Sequence, residues 1–207
     1  DMGTDKLIMQ ARSQSAPGMD SSFFVTEEEI ELLDKVRGID EALGVYFSVA
    51  EVKYEKESLY AFAASMNVGA NRELIRELYM VKVAQGRDLK KEDKLKVTLG
   101  YNYQFADVIF SKPVKLRDKI LLNGNEVEVV GFYESYGNPQ DDSNVYLTDE
   151  GFELLFPDTI GKYQMGLART AKGFEPSDVV EFAEEKIRKE RGQKEEQQDF
   201  FIQTFEQ

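Results

Sequence analysis

The chain has 207 residues, with 26 Lys plus Arg against 39 Asp plus Glu, a formal net charge of −13, 42% hydrophobic and 31% charged residues. A chain of this length buries roughly 70% of its unfolded surface, enough to form a core by apolar burial alone. With Cys 0 and His 0, disulfides, thiolate nucleophiles, imidazole bases and His or Cys metal sites are excluded. The negative balance argues against nucleic acid as a partner, because that affinity comes from Lys and Arg displacing counterions from phosphates. The longest apolar stretches, such as Leu59 to Met66, fall short of the ~18–20 residues of a membrane helix, and no charged-then-apolar signal opens the chain. The absence of Cys leaves the redox compartment open. The sequence starts at Asp1 rather than Met, so the expectation is a piece cut or processed from a longer protein.

In chain order, Lys6 to Arg12 reads as a short strand and Ser13 to Ser22 as a loop rich in Ser, Pro and Gly. A helix follows, with Thr26 as its cap, Glu29 placed to reach back to the cap amide, Val25 and Ile30 as a hydrophobic staple, and Gly38 as the stop. Glu27, Glu28 and Glu29 suit the positive end of its dipole, which explains them better than a metal cluster does. Gly44 to Glu55 and Ser58 to Val68 carry strand composition and form a hairpin, with Val45, Phe47 and Val49 on one face. Asn71 to Tyr79 is a short helix turning Leu74, Ile75 and Leu78 inward, followed by an extended Met80 to Gln85 and a turn at Gly86-Arg87-Asp88.

A strand at Lys96 to Leu99 leads into a helix expected through Phe105, Val108, Ile109 and Phe110. The strongest local signal is a second hairpin, Lys119 to Leu122 and Val127 to Tyr133 around Asn123-Gly124, a dipeptide that readily supplies the positive φ angles of a tight turn. Beyond the loop Gly137 to Ser143 come a strand at Asn144 to Leu147, a short helix with Phe152, Leu155 and Phe156, and a strand at Tyr163 to Thr170. The next helix has Pro176 in its first turn and Val179, Val180, Phe182, Ala183 and Ile187 as its apolar face; Phe200 to Phe205 is the closing strand. Both ends thus read strand, helix, strand around a hairpin-rich middle. The predicted fold class is mixed α/β: one layer built from both termini, with Asp1 and Gln207 close together, carrying an inserted subdomain.

No Walker loop, dinucleotide fingerprint, nucleophile elbow or zinc pattern occurs, and Ser111 and Lys112 lie in an ordinary turn beside Pro113. Asp141 and Asp142 lack the alternating ligands and central Gly of a calcium loop, and a solvated turn explains them. Paired carboxylates are the remaining acid/base equipment, and 39 acids bring some together by chance. No catalytic, cofactor-binding or metal-binding residue is assigned.

The serial order of several segments resembles the MacB-like extracytoplasmic, or periplasmic, core domain of permeases in the MacB, LolC and FtsX group of ABC transporters. The resemblance runs through Val83-Ala84-Gln85-Gly86-Arg87-Asp88-Leu89 with Asp93, then Val97-Thr98-Leu99-Gly100 and Ile109-Phe110. It continues in Asp118-Lys119-Ile120, Asn123-Gly124, Val127-Glu128-Val129-Val130-Gly131-Phe132, Asn144 to Leu147 and Asp199-Phe200-Phe201-Ile202-Gln203-Thr204. It covers roughly the last three-fifths of the chain. The family usually has Gly where Arg117 stands, so the backbone of that turn is expected to differ.

The resemblance implies a porter-like βαβ subdomain over residues 1–68 and 160–207, with an inserted subdomain over 69–159 and hinges around Val68 to Ala70 and Pro157 to Lys162. It implies a loop displayed outside the cell membrane between two membrane helices of a permease, transmitting movement from cytoplasmic ATP hydrolysis without bond chemistry or cofactors of its own. The implied partners are a second permease subunit in a dimer, a separate cytoplasmic ATP-binding subunit and an extracytoplasmic protein. Two rival readings are a stand-alone extracytoplasmic binding module for a peptide, lipid or lipoprotein, which needs a deep apolar pocket, and a carboxylate-dependent hydrolase, which needs two acids converging in a cleft.

Overall fold

The computed structural model describes residues 5–12, 22–69 and 72–205. The chain divides into two compact units, one formed by Asp1–Tyr46 with Thr159–Gln207 and the other by Phe47–Asp158.

In the first unit, β1 (Lys6–Ala11), β3 (Ile39–Val45), β12 (Met165–Thr170) and β13 (Phe200–Thr204) form an antiparallel sheet in the order β13-β1-β12-β3. A further short pair joins β2 (Val25–Thr26) to β11 (Lys162–Tyr163). Helix α1 (Glu27–Asp34) lies in the chain between β1 and β3, and α4 (Pro176–Glu190) between β12 and β13. Each helix therefore connects two strands that run parallel with a third strand between them, giving two interleaved split βαβ units of the ferredoxin-like kind. Leu7 and Met9 of β1, Ile30 and Leu33 of α1, Val179, Ala183 and Ile187 of α4, and Phe200 and Ile202 of β13 share one buried core. The apolar positions expected on α4 include this stripe, but Phe182 lies off it and is 40% exposed.

The N-terminus of α1 carries the expected Thr26–Glu29 cap. The Thr26 side chain accepts from the Glu29 amide at 3.1 Å, as expected. The Glu29 carboxylate turns back to Thr26, accepting from its hydroxyl at 3.4 Å with the cap amide also lowering its pKa, and its other oxygen receives Nε of Arg191 at 3.0 Å, so tertiary pairing adds to the local interaction. Val25 and Ile30 both enter the core. The helix ends at Asp34, with Gly38 at φ +91° beyond it. Residues 13–21, most of the expected Ser13 to Ser22 loop, lie outside the described residues, as do Asp1, Ala70, Asn71 and Gln207.

In the second unit, β4 (Phe47–Tyr54), β5 (Glu57–Met66), β7 (Lys96–Leu99), β8 (Lys119–Leu122), β9 (Asn125–Tyr133) and β10 (Val145–Thr148) pair in the circuit β8-β9-β7-β10-β5-β4-β8, a closed six-stranded barrel. β6 (Val83–Gly86) adds to β9. Val52, Leu122, Val97, Leu99, Val129 and Val145 are fully buried, as expected where a small barrel is filled by its own side chains. Helix α2 (Arg72–Tyr79) and helix α3 (Asp149–Leu155) pack beside β5, burying Leu74, Ile75, Phe152 and Leu155.

The first boundary between the units falls at Tyr46/Phe47, not after Val68. The β4–β5 hairpin is paired on both flanks within the barrel, to β8 through β4 and to β10 through β5, so it belongs to the inserted unit. The strand break at Tyr46 also resets the side-chain alternation, which puts Ala50 and Val52 inside and leaves Phe47 and Val49 half-buried. The Asn123-Gly124 hairpin has positive φ at both residues, +48° and +79°, the signature of a tight primed turn.

The helix expected through Phe105 to Phe110 does not form. A single 3-10 turn, Tyr101–Gln104, is followed by irregular chain in which Asp107 has φ +61°. The apolar spacing there serves a plug: Phe110 is buried with its ring against Tyr54 and Tyr103, at 5.7 and 6.1 Å.

Arg117 adopts φ +72°, the left-handed conformation that Gly tolerates and other residues resist. Arg117 thus takes a backbone conformation that suits Gly. The turn is held by the Arg117 amide on Val129 O at 2.8 Å and the Asp118 amide on Lys115 O at 3.1 Å.

Candidate functional site

Ser111 and Lys112, the pair with the look of a nucleophile and base, each brace the β4–β5 turn: the Ser111 hydroxyl donates to Glu57 and the Lys112 ammonium lies 3.2 Å from Glu55. Asp142 is buried, accepting from the Ser135 hydroxyl at 2.6 Å and the Tyr136 amide at 2.7 Å, while Asp141 accepts from Asn138 at 2.9 Å. They organise the loop before β10, and among the described residues no three acidic side chains gather to hold a metal ion.

Asp149, in the first turn of α3, is the one described acid whose pKa is pushed up to about 6: burial raises it, Ser65 offsets part of this with a hydrogen bond, and the charge of Glu153 adds to the rise. One of its oxygens is buried and makes no hydrogen bond. Neither Asp149 nor Glu153 lines either of the two hollows described below.

The Gly86-Arg87 turn builds the densest charged network. Gly86 has φ +73°, and Val130 O lies 2.3 Å from where a Cβ would sit, so only Gly fits there. Arg87 then forks onto Asp93, with Nη1 and Nη2 at 2.6 and 3.0 Å from the two carboxylate oxygens, a bidentate geometry that Lys does not reproduce. Burial raises the Asp93 pKa, but the Arg87 and Lys90 hydrogen bonds and the guanidinium charge outweigh it and hold the carboxyl below its usual range. The neighbouring Asp88 collects Arg72 at 2.9 Å, Arg76 at 3.2 Å and the Tyr133 hydroxyl at 2.7 Å. This carboxylate thereby fastens α2 to β9.

Two open hollows are notable among the described residues. In the first unit, a hollow of about 650 Å³ between α1 and α4 is lined by Leu32, Val36, Arg37, Phe182 and four charged residues of α4. In the second, one of about 340 Å³ is lined by Val49, Leu59, Tyr60, Phe62 and Ile109 with Gln140 and Ser143. Tyr60 is 74% exposed. Mixed charge around the larger hollow and the openness of both differ from the deep apolar pocket that a stand-alone binding module requires.

The place where the chain passes between the units is more tightly specified than either hollow. The amide of Gly161 donates to the Tyr46 hydroxyl at 3.0 Å, the Tyr46 and Tyr163 rings lie 4.6 Å apart, and the Gln164 amide donates to Val45 O at 2.9 Å. All of these residues belong to the first unit.

The fold that results, a ferredoxin-like sheet whose β3–β12 connection carries a small barrel, is similar overall to solved extracytoplasmic domains of ABC-type transporters. The periplasmic region of MacB from Actinobacillus actinomycetemcomitans matches 98% of this chain and 89% of its own length with TM-score 0.73 at 15% identity. The extracellular domain of the ABC-type transporter YknZ from Gram-positive bacteria matches 96% of this chain and 100% of its own with TM-score 0.70 at 17% identity. In sequence, the chain is 28% identical over 212 residues to an uncharacterised ABC transporter permease of Methanocaldococcus jannaschii, covering 100% of this chain and 49% of that protein. The chain thus spans about half the length of this relative. No protein-family model matches, and no helix among the described residues is long and apolar enough to cross a membrane.

Reading the sequence missed the Asp88 network, whose members are distant in the chain, and the Tyr46–Gly161 bond. Gly161 falls in the segment Pro157 to Lys162, but its tyrosine partner, 115 positions earlier, had no local signal.

Proposed function

We propose that this chain is the extracytoplasmic domain of an ABC-transporter permease, on the periplasmic or extracellular side of the cell membrane. It performs no bond chemistry and passes movement from a separate cytoplasmic ATPase to cargo or a protein partner. In this reading the first unit is the porter-like part and two copies meet in a dimer. The observation that carries it is the pairing of the outermost strands: β1 and β13 are neighbours, with Leu7 opposite Thr204. A chain that enters and leaves one sheet at the same end of neighbouring strands suits a domain set between two consecutive membrane helices. The full-coverage likeness to a permease sequence and to transporter domains supports the same reading. The chain crosses between units at only two places, so the moving parts are two bodies joined by short hinges.

This domain has no Cys, so one introduced Cys reports on it once any Cys outside it is replaced. In the full-length protein, Lys56→Cys in the exposed β4–β5 turn is treated in intact cells with a membrane-impermeant maleimide. Labelling of intact cells and co-purification with an ATP-binding subunit are the expected outcomes. Labelling only after lysis, or a full-length product found free of the membrane, would overturn the proposal.

A further inference from the structure

We infer that Tyr46 ties the two chain crossings into a single pivot, an inference that rests on the permease reading for its use but not for its geometry. The first crossing has no slack: β3 ends at Val45, β4 begins at Phe47, and the one residue between them, Tyr46, is buried. The second crossing is longer. After the single turn Pro157–Thr159, Ile160 is 55% exposed, and Gly161 has φ +71° with open space where a side chain would stand.

The slack ends at Gly161, whose amide is held by the Tyr46 hydroxyl at 3.0 Å. The next residues are fixed twice over. Lys162 and Tyr163 pair with Thr26 and Val25, which places the crossing beside the cap of α1. The Tyr163 ring lies across Gly44, 2.3 Å from where a Cβ would be, so the ring occupies space that only Gly leaves free. Both crossings are thus clamped within one tyrosine side chain of each other, and residues 157–160 lie ahead of the clamp on the second. Two connections held at one point let a body rotate while resisting the sliding that two separate, slack connections permit. The Tyr46 hydroxyl is therefore a positioning group for movement rather than a core ornament.

The test uses the full-length protein with its ATP-binding subunit, carrying spin labels at Lys56→Cys in the second unit and Lys172→Cys in the first. Tyr46→Phe keeps the ring and removes the bond to Gly161. Losing one hydrogen bond raises the population with a released second crossing about fivefold, read as a second, broader component in the label-to-label distance distribution. ATP turnover continues while the ATP-driven shift in distance shrinks. Unchanged distributions in Tyr46→Phe would overturn the pivot, whatever the unfolding midpoint, and leave the permease reading intact. If no ATP-binding subunit joins the protein, the permease reading fails, and the distributions of the protein alone still decide the pivot: a broader one supports it and an identical one ends it.

Discussion

The Arg191 guanidinium lies 3.0 Å from the Glu29 carboxylate, 162 positions earlier in the chain. It also reaches Asp199 at 3.2 Å and Phe24 O at 2.7 Å, and it stacks over the Phe23 ring at 4.9 Å. One side chain thereby joins the end of α4, the start of α1 and the approach to β13. Burial raises the Glu29 pKa even though the charge of Arg191 opposes the shift, so the desolvation of the carboxylate outweighs the attraction.

The pair is accordingly asymmetric in its response to mutation. Arg191→Ala leaves a buried carboxylate without its cation and is expected to cost about 3 kcal/mol. Glu29→Gln removes the costly charge, keeps a hydrogen-bonding group and is expected to cost under about 1 kcal/mol at neutral pH. Urea unfolding of the two variants checks the difference, and equal losses would refute it.

Arg117 makes the opposite kind of prediction. Its φ of +72° is an unfavourable conformation for a residue that bears a Cβ, and its exposed side chain forms no ion pair among the described residues. Arg117→Gly is expected to raise stability by about 1 kcal/mol, relief of strain outweighing the extra freedom of Gly in the unfolded chain. Arg117→Val, β-branched at the same φ, is expected to lower it. Thermal unfolding midpoints rank the three proteins.

Asp149 gives a pH dependence whose sign follows from its pKa of about 6 against an ordinary 3.8. Below the ordinary value the carboxyl is protonated folded or unfolded and costs nothing. Between the two values the folded chain keeps a proton that the unfolded chain releases, so stability falls as pH rises. Above pH 6 the loss is complete, on the order of 2–3 kcal/mol. Asp149→Asn is expected to flatten this slope, gaining stability at pH 7.5 and little at pH 4. Parallel urea titrations of the parent and the variant would expose a wrong assignment.

Both edges of the four-stranded sheet are blocked by acids. Asp34 accepts the Ala42 amide of β3 at 2.8 Å, and Glu184 accepts the Ile202 amide of β13 at 3.0 Å. Unblocked strand edges recruit other strands. Asp34→Ala and Glu184→Ala are each expected to cost about 1 kcal/mol, and the double variant to associate at concentrations where the parent does not. Light scattering against concentration measures this.

Much of the local architecture was legible because its signals are short-range. Asn123-Gly124 names its turn, Thr26 names its cap, and Pro176 begins α4. The apolar residues around Phe110 misled because aromatic spacing suits both a helix and a plug, and only the rings of Tyr54 and Tyr103 separate the two. The first boundary was misplaced since β4 and β5 look alike whichever sheet they join.

By itself the sequence determined the exclusion of thiol and imidazole chemistry, the hairpins, the helices at both ends and the order of elements that resembles a transporter domain. Only the tertiary structure decided that six strands close into a barrel, that Arg191 serves Glu29, and that Tyr46 holds Gly161. Turns and caps are settled by neighbours in the chain, whereas pairing partners and buried charges are settled by which distant residues share the same dry space.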